Sequence, residues 1–188
     1  MTNSIYCPFC HKYVSLNDRG SFASRHGRYW IGECNACFKC VIINDSSNEV
    51  FPLPIPKSVD ERIPQSIRHD FEEALKCLSL PAYRASAVMA RRALQCICLD
   101  KGADEKAKLE KQIDWLFDQG IITKDLKEWA HEVRYVGNDA AHPKKPNEDP
   151  LITKEDAEEV LQLLEQFCSV LYVAPAIAES RRQARSTI

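Results

Sequence analysis

Four cysteines near the start of the chain are spaced as metal ligands. Cys7 and Cys10 form one Cys-x-x-Cys pair, and Cys34 and Cys37 form a second pair beyond residues 11–33. Two such pairs supply four thiolates in two tight turns, which is the ligand set of a tetrahedral structural Zn²⁺ site. We therefore predict that one structural Zn²⁺ ion is bound by these four cysteines.

The same residues leave other ligand sets and chemistries to consider. Cys7–His11 reads Cys-x-x-Cys-His, the signature of covalent haem attachment, and a Cys-x-x-Cys pair is also typical of redox sites. The presence of a second pair favours zinc over both. Cys40 continues the second pair at the same spacing, so it could replace Cys34 or Cys37, and His11 could substitute for a thiolate.

The sequence around the cysteines predicts short strands. Turn signals lie at residues 17–20 and 25–27, an aromatic stretch follows at 29–31, and an apolar stretch lies at 41–43. Short strands separated by turns and held by a metal are typical of a zinc ribbon. We predict this module over residues 1–44, and because it is too small to fold on its own apolar surface, the metal supplies much of its stability.

The predicted ribbon carries more basic than acidic residues. Two functions fit this excess: with Tyr29 and Trp30 the basic residues could form a nucleic-acid surface of stacking and phosphate contacts, or the ribbon could be structural and dock on the second domain or a partner. A Zn²⁺ ion with four thiolates carries a charge of about −2 and offsets part of the excess. The residues concerned are Lys12, Arg19, Arg25, Arg28 and Lys39 against Asp18 and Glu33.

A second group of polar residues with chemical potential lies in the later part of the chain. Arg134, Asn138 and His142 recur every four residues, which places them on one face of a predicted helix. An arginine, an amide and a histidine at a helix C-terminus could bind phosphate and transfer protons. The alternative is structural: Arg134 and Asn138 connect the helix to its neighbours, and His142 caps it.

Helices must position this second group. Residues 45–63 are polar and proline-rich and predict a linker, and the chain beyond it has almost no strand signal. Apolar residues at helical spacing predict five helices. The polar residues from Glu179 onward predict a frayed tail. The predicted helices begin at Pro64, run from Pro81 to Gly102, span roughly 105–119, run from Thr123 to His142, and continue from Thr153 through Leu171. The sequence thus predicts a mainly α fold, with a zinc ribbon at 1–44 and an antiparallel helical bundle at 64–188.

Residues 64–142 resemble a bacterial domain of unknown function, number 4145, which is similar to the HEPN superfamily. The likeness is strongest in Arg134-x-x-Gly137-Asn138-x-x-Ala141-His142. The other segments that carry it are Phe71-Glu72-Glu73-Ala74, Tyr83-Arg84-Ala85 and Ala90-Arg91-Arg92-Ala93-Leu94.

The resemblance implies a metal-independent endoribonuclease that forms its site across a two-fold helical homodimer. Arg134 would bind phosphate, Asn138 would orient the reacting groups, and His142 would transfer protons while the 2′-OH of the RNA attacks. Seven residues separate Arg134 from His142, against four to six in the HEPN motif, so their Cα atoms would lie about 12 Å apart on a straight helix. The biological setting implied is a toxin or effector of a defence or restriction-type system.

Arg91 and Arg92 are further candidates for phosphate contacts, with internal salt bridges as the alternative. The competing hypothesis for the whole chain is a non-enzymatic adaptor whose ribbon and bundle bind a protein partner. The near-neutral formal charge of −2 argues against a protein that coats nucleic acid non-specifically.

Composition sets the class of protein and its compartment. Of the 188 residues 45% are hydrophobic and 28% charged, as in soluble globular proteins. The sequence shows no stretch of about 20 apolar residues and no signal-peptide core, so we expect a cytoplasmic protein with no membrane partner. The remaining cysteines, Cys77, Cys96, Cys98 and Cys168, sit among apolar residues and are expected in the core.

Overall fold

The computed structural model describes residues 4–10, 12–52, 58–141 and 151–186. The chain divides into two compact units, Met1–Ser58 and Val59–Ile188. The first unit is a β module and the second is helical, so the predicted class, mainly α with a small N-terminal β module, is confirmed. The division falls inside the predicted linker at 45–63.

The β module contains two antiparallel sheets whose strands follow one another in chain order. Strands β1 and β2 form a two-stranded sheet that pairs Ile5 with Val14, and β3 to β6 form a four-stranded sheet in the order β3-β4-β5-β6. The strands are β1 (Ile5–Tyr6), β2 (Tyr13–Val14), β3 (Leu16–Ser24), β4 (Gly27–Cys34), β5 (Cys40–Asn44) and β6 (Val50–Phe51).

Of the two predicted turns, one forms a turn between strands and the other forms a β-bulge within a strand. Residues 25–26 form the tight turn between β3 and β4, and Gly27 follows with a φ of 129°, which favours glycine. The signal at residues 17–20 lies inside β3 and forms a bulge, because the register with β4 shifts between Asp18 and Gly20. The Gly20 N–H donates to the Asp18 carboxylate at 2.8 Å, so the turn-favouring residues stabilise the bulge.

The sheet continues beyond residue 44, where the linker was predicted to begin. Strand β6 pairs with β5 through Ile42–Phe51 and Ile43–Val50. The polar run between them is a hairpin loop, closed where the Asn44 N–H donates to the Glu49 carbonyl at 2.9 Å. Polar turn residues within a hairpin resemble a linker in composition, which explains the difference.

The helical unit contains the five predicted helical segments. Helix α2 contacts α1, α3, α4 and α5, which confirms its expected central position. The helices are α1 (Gln65–Ser79), α2 (Tyr83–Asp100), α3 (Leu109–Asp118), α4 (Lys124–Ala141) and α5 (Lys154–Cys168), which continues through a π-helical segment (Ser169–Val173) into α6 (Ala174–Ser186).

Two helix starts follow from their capping residues. The Thr153 side chain accepts from the Asp156 N–H at 3.2 Å while the Asp156 carboxylate accepts from the Thr153 N–H at 2.8 Å, a complete capping box. The Thr123 hydroxyl accepts from the Leu126 N–H at 3.3 Å and caps α4.

The expectation of a frayed tail was wrong, because residues 174–186 form helix α6. Pro175 lies just after the π-helical segment Ser169–Val173, and no glycine or proline follows it to interrupt the helix. The Glu179 carboxylate accepts from Gln183 at 3.1 Å and pairs with Arg182 at 2.9 Å, which supports the exposed helix.

Among the described residues, one continuous helix, Lys154–Ser186, is long and apolar enough to cross a membrane by length and composition. The expectation that no stretch is long and apolar enough to span a membrane was therefore wrong. Leu163, Leu164 and Phe167 of this helix are buried in the helical unit, and a buried core helix passes the same test.

The four cysteines expected in the core divide into two groups. Cys98 and Cys168 are buried, and burial raises the pKa of each thiol to about 12. Cys77 and Cys96 are only partly buried.

Candidate functional site

The four predicted ligand cysteines lie on two turns with the same backbone pattern. Cys7 and Cys10 lie in the connection from β1 to β2, and Cys34 and Cys37 lie at the end of β4 and in the turn that follows. In each turn the N–H of the first cysteine donates to the carbonyl of the lysine five residues later, at 2.9 Å. The bonds are Cys7 N–H to Lys12 O and Cys34 N–H to Lys39 O.

This symmetry extends to the sequence: the two turns read CPFCHK and CNACFK. In the second turn the Phe38 N–H also donates to the Cys34 carbonyl at 2.9 Å, with Phe38 at a φ of 60°. The cysteine spacing predicts the turns, but it gives no sign that the carbonyls of Lys12 and Lys39 close them.

The four sulfur atoms converge to the dimensions of a metal site. Cys7 Sγ lies 3.7 Å from Cys37 Sγ, Cys10 Sγ lies 3.8 Å from Cys34 Sγ, and all four lie within 4.8 Å of one another. A tetrahedral site with Zn–S distances of about 2.3 Å has sulfur atoms about 3.8 Å apart. The residues present therefore fit a four-coordinate metal ion.

The pKa values of two of the cysteine thiols, Cys34 and Cys10, are shifted in opposite directions. Burial opposes ionisation of Cys34, but the N–H groups of Cys37 and Ala36, each 3.4 Å from Cys34 Sγ, lower its pKa to about 7. Burial and the neighbouring thiols raise the pKa of Cys10 to about 12. A bound divalent cation favours the thiolate form of all four residues.

Apolar residues surround the cysteines. Cys7, Cys34 and Val14 are buried together, and the partly buried neighbours packed against them include Ile5, Phe9 and Leu16. The Lys39 ammonium lies 5.0 Å from the centre of the Phe9 ring. An apolar shell and four protein ligands, with no open position for substrate, are features of a structural site.

Of the two alternative zinc ligands, only Cys40 lies among the described residues. Cys40 is exposed at the start of β5, opposite Glu33, and lies outside the four-sulfur group. His11 lies outside the described residues.

The second predicted site is on helix α4. Leu126, Ala130 and Val133 form the buried side of this helix, which contacts α2, α3 and α5. At about 100° per residue, Arg134 and Asn138 fall together on the flank of that buried side. His142 lies outside the described residues, so the structure places two of the three residues on one helix.

Three polar residues that sequence analysis missed lie on the same flank of α4 and on α3. Lys127 Nζ lies 2.9 Å and His131 Nε2 lies 3.0 Å from Asp114 Oδ1. The only local signal was the four-residue spacing of Lys127 and His131, which continues toward Arg134. Asp114 belongs to another helix, so no sequence pattern connects it to them.

Arg92 forms a salt bridge within the helical unit, which was the alternative to a phosphate contact. Its guanidinium donates to the Asp70 carboxylate across the α1–α2 contact, and Cys96 Sγ lies 3.6 Å from the other carboxylate oxygen. Arg92 is therefore an internal ion-pair partner in this structure.

The family model of the domain of unknown function DUF4145 matches residues 72–185. No curated protein and no solved structure matches the chain.

Proposed function

The chain belongs to the DUF4145 family, and we propose that it is a zinc-stabilised, HEPN-like protein that acts on RNA. The observation that carries the zinc assignment is the convergence of four cysteine sulfurs to within 4.8 Å. The RNA assignment is supported by the polar flank of α4 and by the resemblance of this helix to the HEPN motif.

Zinc is the metal that this ligand set favours. Four thiolates in a tetrahedral arrangement suit Zn²⁺ or an iron–sulfur centre, and two Cys-x-x-Cys turns on short strands are typical of zinc. When bound, the ion holds together two turns that lie 24 residues apart between Cys10 and Cys34. Its role is to stabilise the β module, and RNA chemistry takes place elsewhere.

For the helical unit we assign roles along α4 and just after it. Arg134 binds the scissile phosphate, Asn138 orients the reacting groups, and His142 transfers a proton. The substrate's 2′-oxygen attacks phosphorus as its proton passes to His142, the P–O5′ bond breaks, and the departing O5′ takes up a proton, which leaves a 2′,3′-cyclic phosphate and a 5′-hydroxyl. A homodimer through the small residues Gly137, Ala140 and Ala141 would bring two copies of this helix together.

One observation favours the second candidate, a protein-binding adaptor. Strand pairing places Phe22, Tyr29, Ile42 and Phe51 on the same face of the four-stranded sheet. Phe22, Ile42 and Phe51 are exposed, and Phe22 stacks on Tyr29 with ring centres 5.4 Å apart. Exposed apolar residues gathered on one face are typical of protein-binding surfaces.

The experiment that separates the two candidates uses purified protein and single-stranded RNA without divalent ions. Wild type should cleave the RNA and leave a 2′,3′-cyclic phosphate, and His142→Ala should lose about 10²–10⁴-fold in rate. Arg134→Ala should lose phosphate binding and cleavage, with Asn138→Ala milder. RNA binding and cleavage absent from wild type would contradict the RNA assignment and favour the adaptor. Light scattering on the same sample tests the dimer.

A further inference from the structure

We propose that Lys111, Lys127 and His131, gathered around Asp114, form a binding site for the phosphate backbone of single-stranded RNA. The site extends the flank of α4 that holds Arg134. It rests on the proposed RNA-directed function but uses residues outside the Arg-Asn-His motif.

The geometry brings three basic side chains to one carboxylate. Lys127 Nζ and His131 Nε2 of α4 lie 2.9 and 3.0 Å from Asp114 Oδ1, and Lys111 Nζ of α3 lies 3.4 Å from Asp114 Oδ2. The Lys111 side chain is 71% exposed, while Lys127 and His131 are partly exposed. All three are thus reachable from solvent at the α3–α4 contact.

The charge of this cluster suits an anion. Two lysines face one carboxylate, so the group has a positive excess before His131 is counted. The nearest acidic residues of α4, Glu128 and Glu132, each follow a cluster residue directly and therefore lie about 100° around the helix. On α3, Glu110 and Asp118 lie about one helical turn to either side of Asp114, so the positive excess belongs to the side chains that contact Asp114 and not to α3 as a whole.

The cluster is continuous with the motif on α4. Lys127, His131, Arg134 and Asn138 follow one another at spacings of four, three and four residues, which keeps them on one stripe of the helix. The stripe is about 16 Å long, from the rise of 1.5 Å per residue. A polyanion lying along it would meet the basic residues from Lys127 to Arg134 and then the Asn138 amide, whereas a single phosphate would meet one end.

Asp114 acts as a positioning residue. Its Oδ1 atom holds both Lys127 and His131, and the Phe117 ring centre lies 4.8 Å from Lys127 Nζ. A lysine held between a carboxylate and a ring has fewer rotamers to lose when it binds a ligand. This arrangement lowers the entropic cost of a phosphate contact.

The test is fluorescence anisotropy with a labelled 20-nucleotide polyuridine at several salt concentrations. Lys127→Gln should weaken binding by about three- to tenfold and lower the slope of log K against log salt by about 0.7, the value for one lost contact to single-stranded nucleic acid. His131→Gln should weaken binding less. The control is Lys154→Gln on α5, a 55% exposed lysine that pairs with Glu158 at 3.3 Å, and it should change neither quantity.

Lys111→Gln gives a second result that does not depend on the interhelical contact. This variant removes the same charge from an exposed side chain, so it should stay folded by circular dichroism and lower the salt slope as Lys127→Gln does. If wild type binds RNA and both variants behave like Lys154→Gln, the phosphate site is overturned and the RNA function stands. If wild type does not bind the RNA at any salt concentration, both are overturned.

Discussion

Arg92 and Asp70 form an ion pair whose two partners are buried to very different extents. The Asp70 side chain is 8% exposed, whereas the Arg92 side chain is 60% exposed. The carboxylate therefore depends on Arg92 for solvation, while the guanidinium still reaches water. Arg92 lies on α2, the central helix of the helical unit, so the pair connects α1 to the core.

This asymmetry predicts unequal effects of removing each partner. Arg92→Ala should destabilise the protein by about 1–3 kcal/mol, because it leaves a buried carboxylate without its charged partner. Asp70→Asn should cost less, because water solvates the remaining arginine. Denaturant unfolding measures both, with Arg62→Ala, from an exposed pair with Asp60, as a control that should change little. A larger cost for Asp70→Asn than for Arg92→Ala would contradict this account.

Gly32 is the second testable position, because β4 has no room for a side chain there. An added Cβ would lie 2.5 Å from Leu16 Cδ1, 2.8 Å from Trp30 Cζ3 and 3.0 Å from Leu16 Cβ. Leu16 packs against the buried cysteines, so Gly32→Ala should displace it and destabilise the β module by about 1–3 kcal/mol.

Zinc release during thermal unfolding would report this loss as a lower release temperature. The double variant Gly32→Ala with Leu16→Ala should lose less than the sum of the two single variants, because the shortened side chain relieves the overlap. If the destabilisation of the double variant equalled the sum of the two single variants, the strain at Gly32→Ala would not come from contact with Leu16.

The Asp114 cluster predicts a dependence of stability on pH. Burial opposes ionisation of Asp114, but the hydrogen bonds from Lys127 and His131 hold the pKa of its carboxyl below the usual range. A carboxyl with a depressed folded-state pKa contributes stability above its unfolded pKa of about 3.9, and this contribution is lost as pH falls through the lower folded value.

Asp114→Asn should therefore lower the free energy of unfolding at pH 6 and have less effect near pH 3. Lys111 faces the same carboxyl from its own helix, at 3.4 Å from Asp114 Oδ2. Denaturant titrations at both pH values measure the difference, and an equal loss at both would contradict the assignment.

The sequence predicted those parts of the structure that depend on local patterns. The convergence of Cys7, Cys10, Cys34 and Cys37 followed from two Cys-x-x-Cys pairs, because each pair is a turn that presents two sulfurs. The helix starts at Thr123 and Thr153 followed from capping chemistry between residues three apart.

Features set by pairing over a distance were not predictable in the same way. Residues 17–20 read as a turn, but pairing of β3 with β4 on both sides made them a bulge. The role of Arg92 depended on Asp70 of another helix, and Lys127 and His131 gained their partner from α3. A local sequence pattern predicts the face of the helix or strand on which a residue lies, but it does not predict which residue of another element will contact it.

The central claim is that one Zn²⁺ ion is bound by the two cysteine turns, and metal content by mass spectrometry tests it most directly. Protein purified without chelator should contain about one zinc per chain. Cys34→Ser should lose the metal, because it removes a buried ligand that lies 3.8 Å from Cys10 Sγ, whereas Cys40→Ser should retain it, because Cys40 is exposed outside the four-sulfur group. Zinc near zero in wild type, or its loss from Cys40→Ser with retention in Cys34→Ser, would contradict the account.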